Sequence, residues 1–167
     1  VDVRDLFLKN KEVVRRRTRE VVSLLRPEHF DWRPVEGALS VGQMLRHLWV
    51  SEQGVRRVAL EGDFSYYETR IPQGLLAILG TPRTLAEEVA DLERTHEETL
   101  RQVATCSQEL FEVERVHEGF GFRRKVYVVL LGIIEHEIHH RAQLMTYLRM
   151  LGTPVAEPIA RPQPGKP

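Results

Sequence analysis

The sequence has one cysteine, no net charge and no apolar run of the roughly 20 residues a membrane-spanning helix needs. The lone thiol, Cys106, excludes an internal disulfide framework and fits a reducing compartment, the cytoplasm. With 24 basic residues against 24 acidic ones, nothing in the bulk charge draws the chain to nucleic acid or to an anionic membrane. The first residues are charged and amphipathic and lack the apolar core of a signal peptide. Lysine is scarce, four against twenty arginines, a bias that fits a GC-rich genome or a thermophilic host equally well. No internal repeat is present. At 167 residues the expected organisation is one domain with a real hydrophobic core.

What the chain does have is histidine in an unusual place. Three of its seven histidines, His136, His139 and His140, fall within five residues. They sit in a stretch, about 124–150, with no proline and one glycine, which predicts a single helix. On a helix, His136 and His140 project from one face a turn apart, a spacing that lets two imidazoles hold one metal ion. Gln143 shares that face, and Tyr147 lies on the same side one turn on. His139 lies about 60° round from His136, away from His140, and is read as a neighbour.

Residues 2–26 show helical spacing of Val3, Leu6, Phe7, Val13, Val14, Val21, Leu24 and Leu25, and Pro27 is expected to end that helix. The basic run Arg15–Arg16–Arg17 with Arg19 reads as a solvated face relieved by Glu12 and Glu20, or less simply as an anion-binding patch. Residues 28–39 form a loop whose Trp32 caps the core. Ser40 is a good helix N-cap, with Gln43 making a weak capping box. The second helix runs to about 61, with the stripe Val41, Met44, Leu45, Leu48, Val55 and Ala59. Glu52 falls inside this stripe and His47 at its edge, reaching a cleft while open to solvent on one side, which makes His47 the third ligand candidate. Residues 62–82 are a long connection with a short helical piece near 74–79, of a length that suits a lid.

A third helix, 84–107, carries His96 in a core-facing slot, either hydrogen-bonded in the interior or serving the metal site. Residues 108–122 break the helical pattern and read as extended, with 119–122 a turn into the fourth helix. Gly152 and Pro154 close that helix, and a proline-rich tail, 154–167, follows a bundle domain at 1–153. Four amphipathic helices and few strand signals give an all-α four-helix bundle, an architecture that builds metal sites from side chains on facing helices.

Ser-x-Gly-x-Met-x-x-His-Leu at 40–48, with Glu52 beyond it, then His-Glu-x-His-His-Arg-Ala-Gln-Leu at 136–144 and Tyr-Leu-Arg-x-x-Gly at 147–152, resembles the DinB/YfiT-like superfamily over roughly residues 3–152. Ala142 stands where the family pattern commonly has glycine, a small-for-small change. The resemblance implies an up-down-down-up bundle, often a homodimer. It also implies a divalent transition metal on His47, His136 and His140, nickel or zinc foremost and iron or manganese as alternatives, with water in the open positions. Some relatives transfer low-molecular-weight thiols such as bacillithiol or mycothiol and others are hydrolases. The expectation it carries is thiol transfer to a small electrophile, with a metal-dependent hydrolase or a non-catalytic, stress-linked metal bundle as alternatives.

The same letters, His136-Glu137-x-x-His140, spell the zinc-protease HExxH pattern, in which the glutamate is the general base. Against that, Glu137 projects about 100° from the His136 face into the apolar stripe, no Gly-x-x-His follows, and no sheet for peptide binding is evident. Glu137 is instead placed four residues before Arg141, the favoured order for a helical ion pair. Some of Glu137, Arg141, Glu52 and His96 are expected to form a buried polar cluster under the metal, either orienting a ligand imidazole or serving as a structural ion pair. Arg56, Arg57, Arg123 and Arg124 are candidates for holding substrate carboxylates.

Overall fold

Each long helix before the hairpin starts where its sequence supplies a cap. The computed structural model describes residues 2–155. Asp2 accepts the backbone N–H of Asp5 and opens α1 (Val3–Val22). Ser40 and Gln43 make the reciprocal capping box in full, at 2.9 and 3.2 Å, before α2 (Val41–Glu61). Thr84 caps the third long helix with its hydroxyl. Between come two short helices, α3 (Ser65–Gln73) and α4 (Leu75–Leu79), and then α5 (Leu85–Ala104). A further short helix, α6 (Gln108–Glu112), precedes an antiparallel hairpin of β1 (Glu114–His117) and β2 (Phe122–Lys125), which runs directly into α7 (Val126–Met150).

The long helices form an up-down-down-up four-helix bundle. α2 packs on α7 and α5, and α1 packs on the same two, so α1 and α2 face each other across the diagonal. Because α2 and α5 run in the same direction, the chain must return along the bundle between them, and residues 62–82 do this through α3 and α4. The ring of Tyr66 on α3 lies flat on the bare backbone of Gly54. A Cβ there would sit 2.3 Å from the ring, so the segment docks where α2 has no side chain.

Several boundaries differ from the sequence expectation. α1 stops at Val22, and Pro27 opens a separate 3-10 turn, Pro27–His29, instead of terminating the helix. α5 ends at Ala104. Residues 108–122 are only partly extended, because α6 comes first and Glu118–Phe120 is a 3-10 turn inside the hairpin. The hairpin closes the end of α2. Its Arg115 donates to the carbonyls of Ala59 and Leu60 at 2.8 and 3.0 Å, satisfying acceptors the helix leaves open. Trp32 packs, half-buried, over the core edge against Tyr147. The proline-rich extension lies, beyond Val155, outside the described residues. No described helix is long and apolar enough to cross a membrane.

The interior is not one apolar core but two. One cluster joins Phe7, Val14, Val58, Val103, Phe111, Leu130 and Ile133. The other joins Val21, Met44, Leu45, Leu92, Leu144 and Leu148. The buried face of α1 reads Phe7, Lys11, Val14, Arg15, Thr18, Val21, so three polar side chains occupy slots where the apolar stripe lapses. The expected stripe members Leu6 and Val13 are exposed instead. A polar layer therefore crosses the bundle between its two apolar halves, and the candidate site lies in and beside it.

Candidate metal centre

His47 comes from α2, and His136 and His140 from successive turns of α7. One ring nitrogen of each lies within 4.8 Å of the other two. The rings meet edge-on, with centroids 4.4 to 4.6 Å apart. The Nε2 atoms of His47 and His136 are 3.0 Å apart, near the roughly 3.3 Å expected for two nitrogens each 2.0–2.1 Å from a tetrahedral zinc. His47 is 3% exposed, so it is buried and not open to solvent on one side as its place at the stripe edge predicted. His139 is exposed and edges against His140 from outside.

Two of the outer nitrogens are also accounted for. His47 Nδ1 lies 2.9 Å from Ser51 Oγ, and that hydroxyl is 2.8 Å from the Tyr66 phenol. His140 Nδ1 donates to Gln143 Oε1 at 2.6 Å. The Gln143 oxygen requires the proton on His140 Nδ1 and leaves Nε2 with a lone pair for the common centre, and the Ser51 hydroxyl, which can accept from His47 Nδ1, is compatible with the same tautomer there. Burial, followed by the positive fields of the neighbouring histidines and Arg70, holds His47 and His136 down at about 3 and lowers His140 as well. At neutral pH all three are therefore uncharged, the form that ligates a metal. A donor set of three neutral imidazoles, two of them with a partnered Nδ1, fits a borderline transition ion such as zinc or nickel.

The residues expected around the metal take different places. Glu52 and Glu137 face the bundle interior and are held by α1. Lys11 Nζ bonds Glu52 and Glu137 at 2.8 and 2.6 Å, and Arg15 bonds Glu137 at 2.9 Å and Glu52 at 3.1 Å. Arg15 is 0% exposed, which overturns its reading as part of a solvated basic face. The helical pair between Glu137 and Arg141 gives way to this arrangement, and Arg141 donates to the Val14 carbonyl instead. Burial opposes ionisation of Glu137, but Lys11 and Arg15 outweigh it and hold the carboxyl at about 2. Glu137 is thus a permanently paired anion turned away from the histidines, which removes the protease-base reading.

His96 is buried beside this group, 3.6 Å from Glu12, with neither ring nitrogen hydrogen-bonded. Tyr147 reaches away from the triad and donates to the Leu39 carbonyl. Of the side chains expected around the ligands, Gln143 is the one that contacts a triad imidazole. Ser51 and Tyr66 are additions that the sequence reading lacks. Ser51 does carry a signal, a hydroxyl one helical turn after His47. Tyr66 is brought in by the connecting segment, and no local pattern marks it.

A cavity of about 250 Å³ opens against His136, walled by Ser51, Tyr66, Tyr67 and Phe122 and flanked by Arg70 and Arg124. Of the arginines expected to meet substrate, Arg56 is buried on Glu98 and Thr99, Arg57 pairs with Asp63, and Arg123 with Glu114 and Glu118. Only Arg124 of those four lines this cavity.

The sequence profile of the DinB superfamily matches residues 12–144, a span that includes all three histidines. The chain belongs to the DinB superfamily. Its curated DinB-like relative YjoA from Bacillus subtilis is 28% identical over 152 residues, 87% of this chain and 86% of that protein. The crystal structure of YjoA superposes with a TM-score of 0.68 at 21% identity, covering 94% of this chain and 96% of that one. A putative DinB-family member from Exiguobacterium sibiricum 255-15 gives 0.71 at 24% identity, covering 95% and 98%. YfiT from Bacillus subtilis, described as a probable metal-dependent hydrolase with an unusual four-helix bundle topology, gives 0.67 at 17% identity, covering 90% and 89%. At these identities the three structures establish the DinB-like fold.

Proposed function

We propose that His47, His136 and His140 hold one divalent transition ion, zinc or nickel, and that the protein is a metal-dependent enzyme joining a low-molecular-weight thiol to a small electrophile. The observation that carries this reading is the convergence of three neutral imidazoles, one of which, His136, lines a cavity. Three protein ligands leave a coordination position for an exchangeable group, and the bound ion would lower the pKa of a thiol or water held there.

The walls favour a thiol over water. Among the described residues lining the cavity there is no carboxylate to act as general base, and Glu137 is committed to Lys11 and Arg15. A thiol starts from a pKa near 8.5 and ionises on a metal without such a base, whereas water starts near 15.7. The chain's own part is to keep the imidazoles unprotonated, to fix their direction through Ser51 and Gln143, and to screen the reacting position with the aromatic walls.

Hydrolysis is the second reading. It draws on the likeness to YfiT and on the Tyr66–Ser51–His47 chain, whose phenol lines the cavity and offers a proton donor beside it. A thiol co-substrate suits a reducing cytoplasm, where Cys106 stays free. A homodimer, expected from the family resemblance, completes the reading and is checked by light scattering.

Elemental analysis of protein purified without a nickel column, wild type beside His140→Ala, tests the core of the reading. Near-stoichiometric metal in the wild type and its loss in the variant are expected. Loaded protein is then assayed with a panel of small thiols and an electrophile such as an aryl halide, and with ester and amide substrates. Metal binding with hydrolysis and no thiol consumption would replace the first reading by the second.

A further inference from the structure

The cavity beside His136 has a polarity of its own. Arg70 and Arg124 both line it. Among the described residues neither has an acidic side chain within salt-bridge distance. The contact of Arg70 is with the ring of Tyr66, 5.9 Å from its centroid, and that of Arg124 is with the carbonyl of Arg123. Several arginines elsewhere on the bundle are neutralised: Arg15 by two glutamates, Arg19 by Glu93, Arg46 by Glu88 and Arg56 by Glu98. Two uncompensated guanidinium groups at one cavity are an arrangement for a planar anion, since the guanidinium fork matches a carboxylate.

The interior of the cavity is different. Val55, Val128 and Val129 line it with Tyr67 and Phe122. Gly132 is part of its wall, one turn before His136, and a Cβ there would meet nothing within 4 Å. A glycine inside a helix costs about 0.5–1 kcal/mol relative to alanine. Here the missing side chain leaves open space along α7 that leads to a ligand histidine. The volume, about 250 Å³, is below the roughly 300–1,000 Å³ of drug-sized sites and suits a small molecule.

We propose that this cavity binds a small carboxylate-bearing molecule with an apolar, preferably aromatic, body. The carboxylate sits at Arg70 and Arg124, and the body lies along Gly132 between Tyr67 and Phe122, directed at His136. This rests on the reading of the histidines as a metal centre only in calling the molecule the electrophilic substrate; the binding site itself needs no metal.

The test uses the full chain, metal-free and zinc-loaded, titrated with benzoate and with its neutral counterpart benzamide while the His136 and Tyr67 resonances are followed by NMR. Saturable benzoate binding at both residues is expected, with benzamide at least about tenfold weaker, the factor a charge-assisted hydrogen bond supplies. The double variant Arg70→Gln, Arg124→Gln should weaken benzoate at least about tenfold and leave benzamide unchanged. Lysine at both positions should restore part of the loss. Gly132→Leu, which fills the cavity without touching either arginine, should block both probes. Equal binding of benzoate and benzamide, benzoate binding indifferent to the double variant, or no saturable benzoate binding in either form overturns the proposal. Arginine-dependent binding in metal-free protein upholds the cavity even if zinc never binds, and zinc binding with arginine-independent benzoate sinks the cavity alone.

Discussion

His136 and Glu137 are neighbours in sequence and belong to two different polar groups. The histidine triad is made of uncharged side chains whose lone pairs converge on one point. The group on the other side of α7 is made of two cations, Lys11 and Arg15, and two carboxylates, Glu52 and Glu137, whose charges cancel. Both are largely buried, but the triad offers acceptors to a cation while the quartet's charges pair with one another and leave Glu52 Oε1 without a hydrogen bond. A buried polar group is stable only when its partners are present. The quartet carries its partners on α1, whereas the triad, on the function proposed above, takes one from solution. The comparison separates a place that holds the bundle in register from a place available for chemistry.

The sharpest way to break this contrast is a pair of substitutions one residue apart in position and opposite in effect. His136→Ala should abolish metal binding and leave the metal-free fold intact, whereas Glu137→Leu should leave Lys11 and Arg15 as underpaired buried cations and destabilise the protein by about 3–5 kcal/mol. Metal analysis and urea denaturation read the two outcomes. Loss of metal in the folded Glu137 variant would mean that the quartet and the triad are one unit.

Acid should dissect the metal-free protein in two steps. The folded-state values of His47, His136 and His96 are about 3, below the ordinary histidine value of 6.5, so the unfolded chain binds more protons between these limits. Their contribution is present above pH 6.5 and is lost as pH falls toward 3. Glu137, held at about 2 against 4.5, contributes stability that is lost only as pH falls from 4.5 toward 2. Urea midpoints between about pH 7.5 and 3 should therefore decline first from the histidines, and His96→Phe should flatten that first decline without altering the second. A stability curve level from about pH 7 to 4.5 would contradict the burial of these imidazoles.

Smaller effects sharpen the boundary of the triad. Ser51→Ala removes the partner of His47 Nδ1 and should lower metal affinity about 10–100-fold, measured by competition with a chromogenic chelator. Tyr66→Phe removes only the outer hydroxyl of that chain and should cost about 0.5–1.5 kcal/mol in docking of α3, with a change in metal affinity too small to reach the Ser51 effect. If the two variants were equal, the connecting segment would belong to the metal site as fully as α2 does.

Much of the site is legible in local patterns. The i, i+4 spacing of His136 and His140, the place of His47 on the second helix and the capping residues Ser40 and Thr84 are local features, and helical geometry turns them directly into directions in space. Glu137 also points inward as its helical projection requires. The residues that meet it are harder to read, because Arg15 sits in a run of four arginines within five positions and a charge run is ordinarily a solvated face. The lapse of the apolar stripe at Lys11, Arg15 and Thr18 is the available sign. The hairpin after α6 is blurred by the short helix before it and the 3-10 turn within it.

The long helices and the places of the three histidines on them follow from periodicity within one segment, so the order of residues is enough to specify them. Which charges are paired, where the connecting segment docks and which arginines stay unneutralised at the cavity are settled only when the segments pack. Lys11 and Glu137 are separated by 126 positions, and Tyr66 reaches Ser51 from a different helix. Charge compensation inside a protein depends on distance in space and on exclusion of water, neither of which a one-dimensional pattern contains.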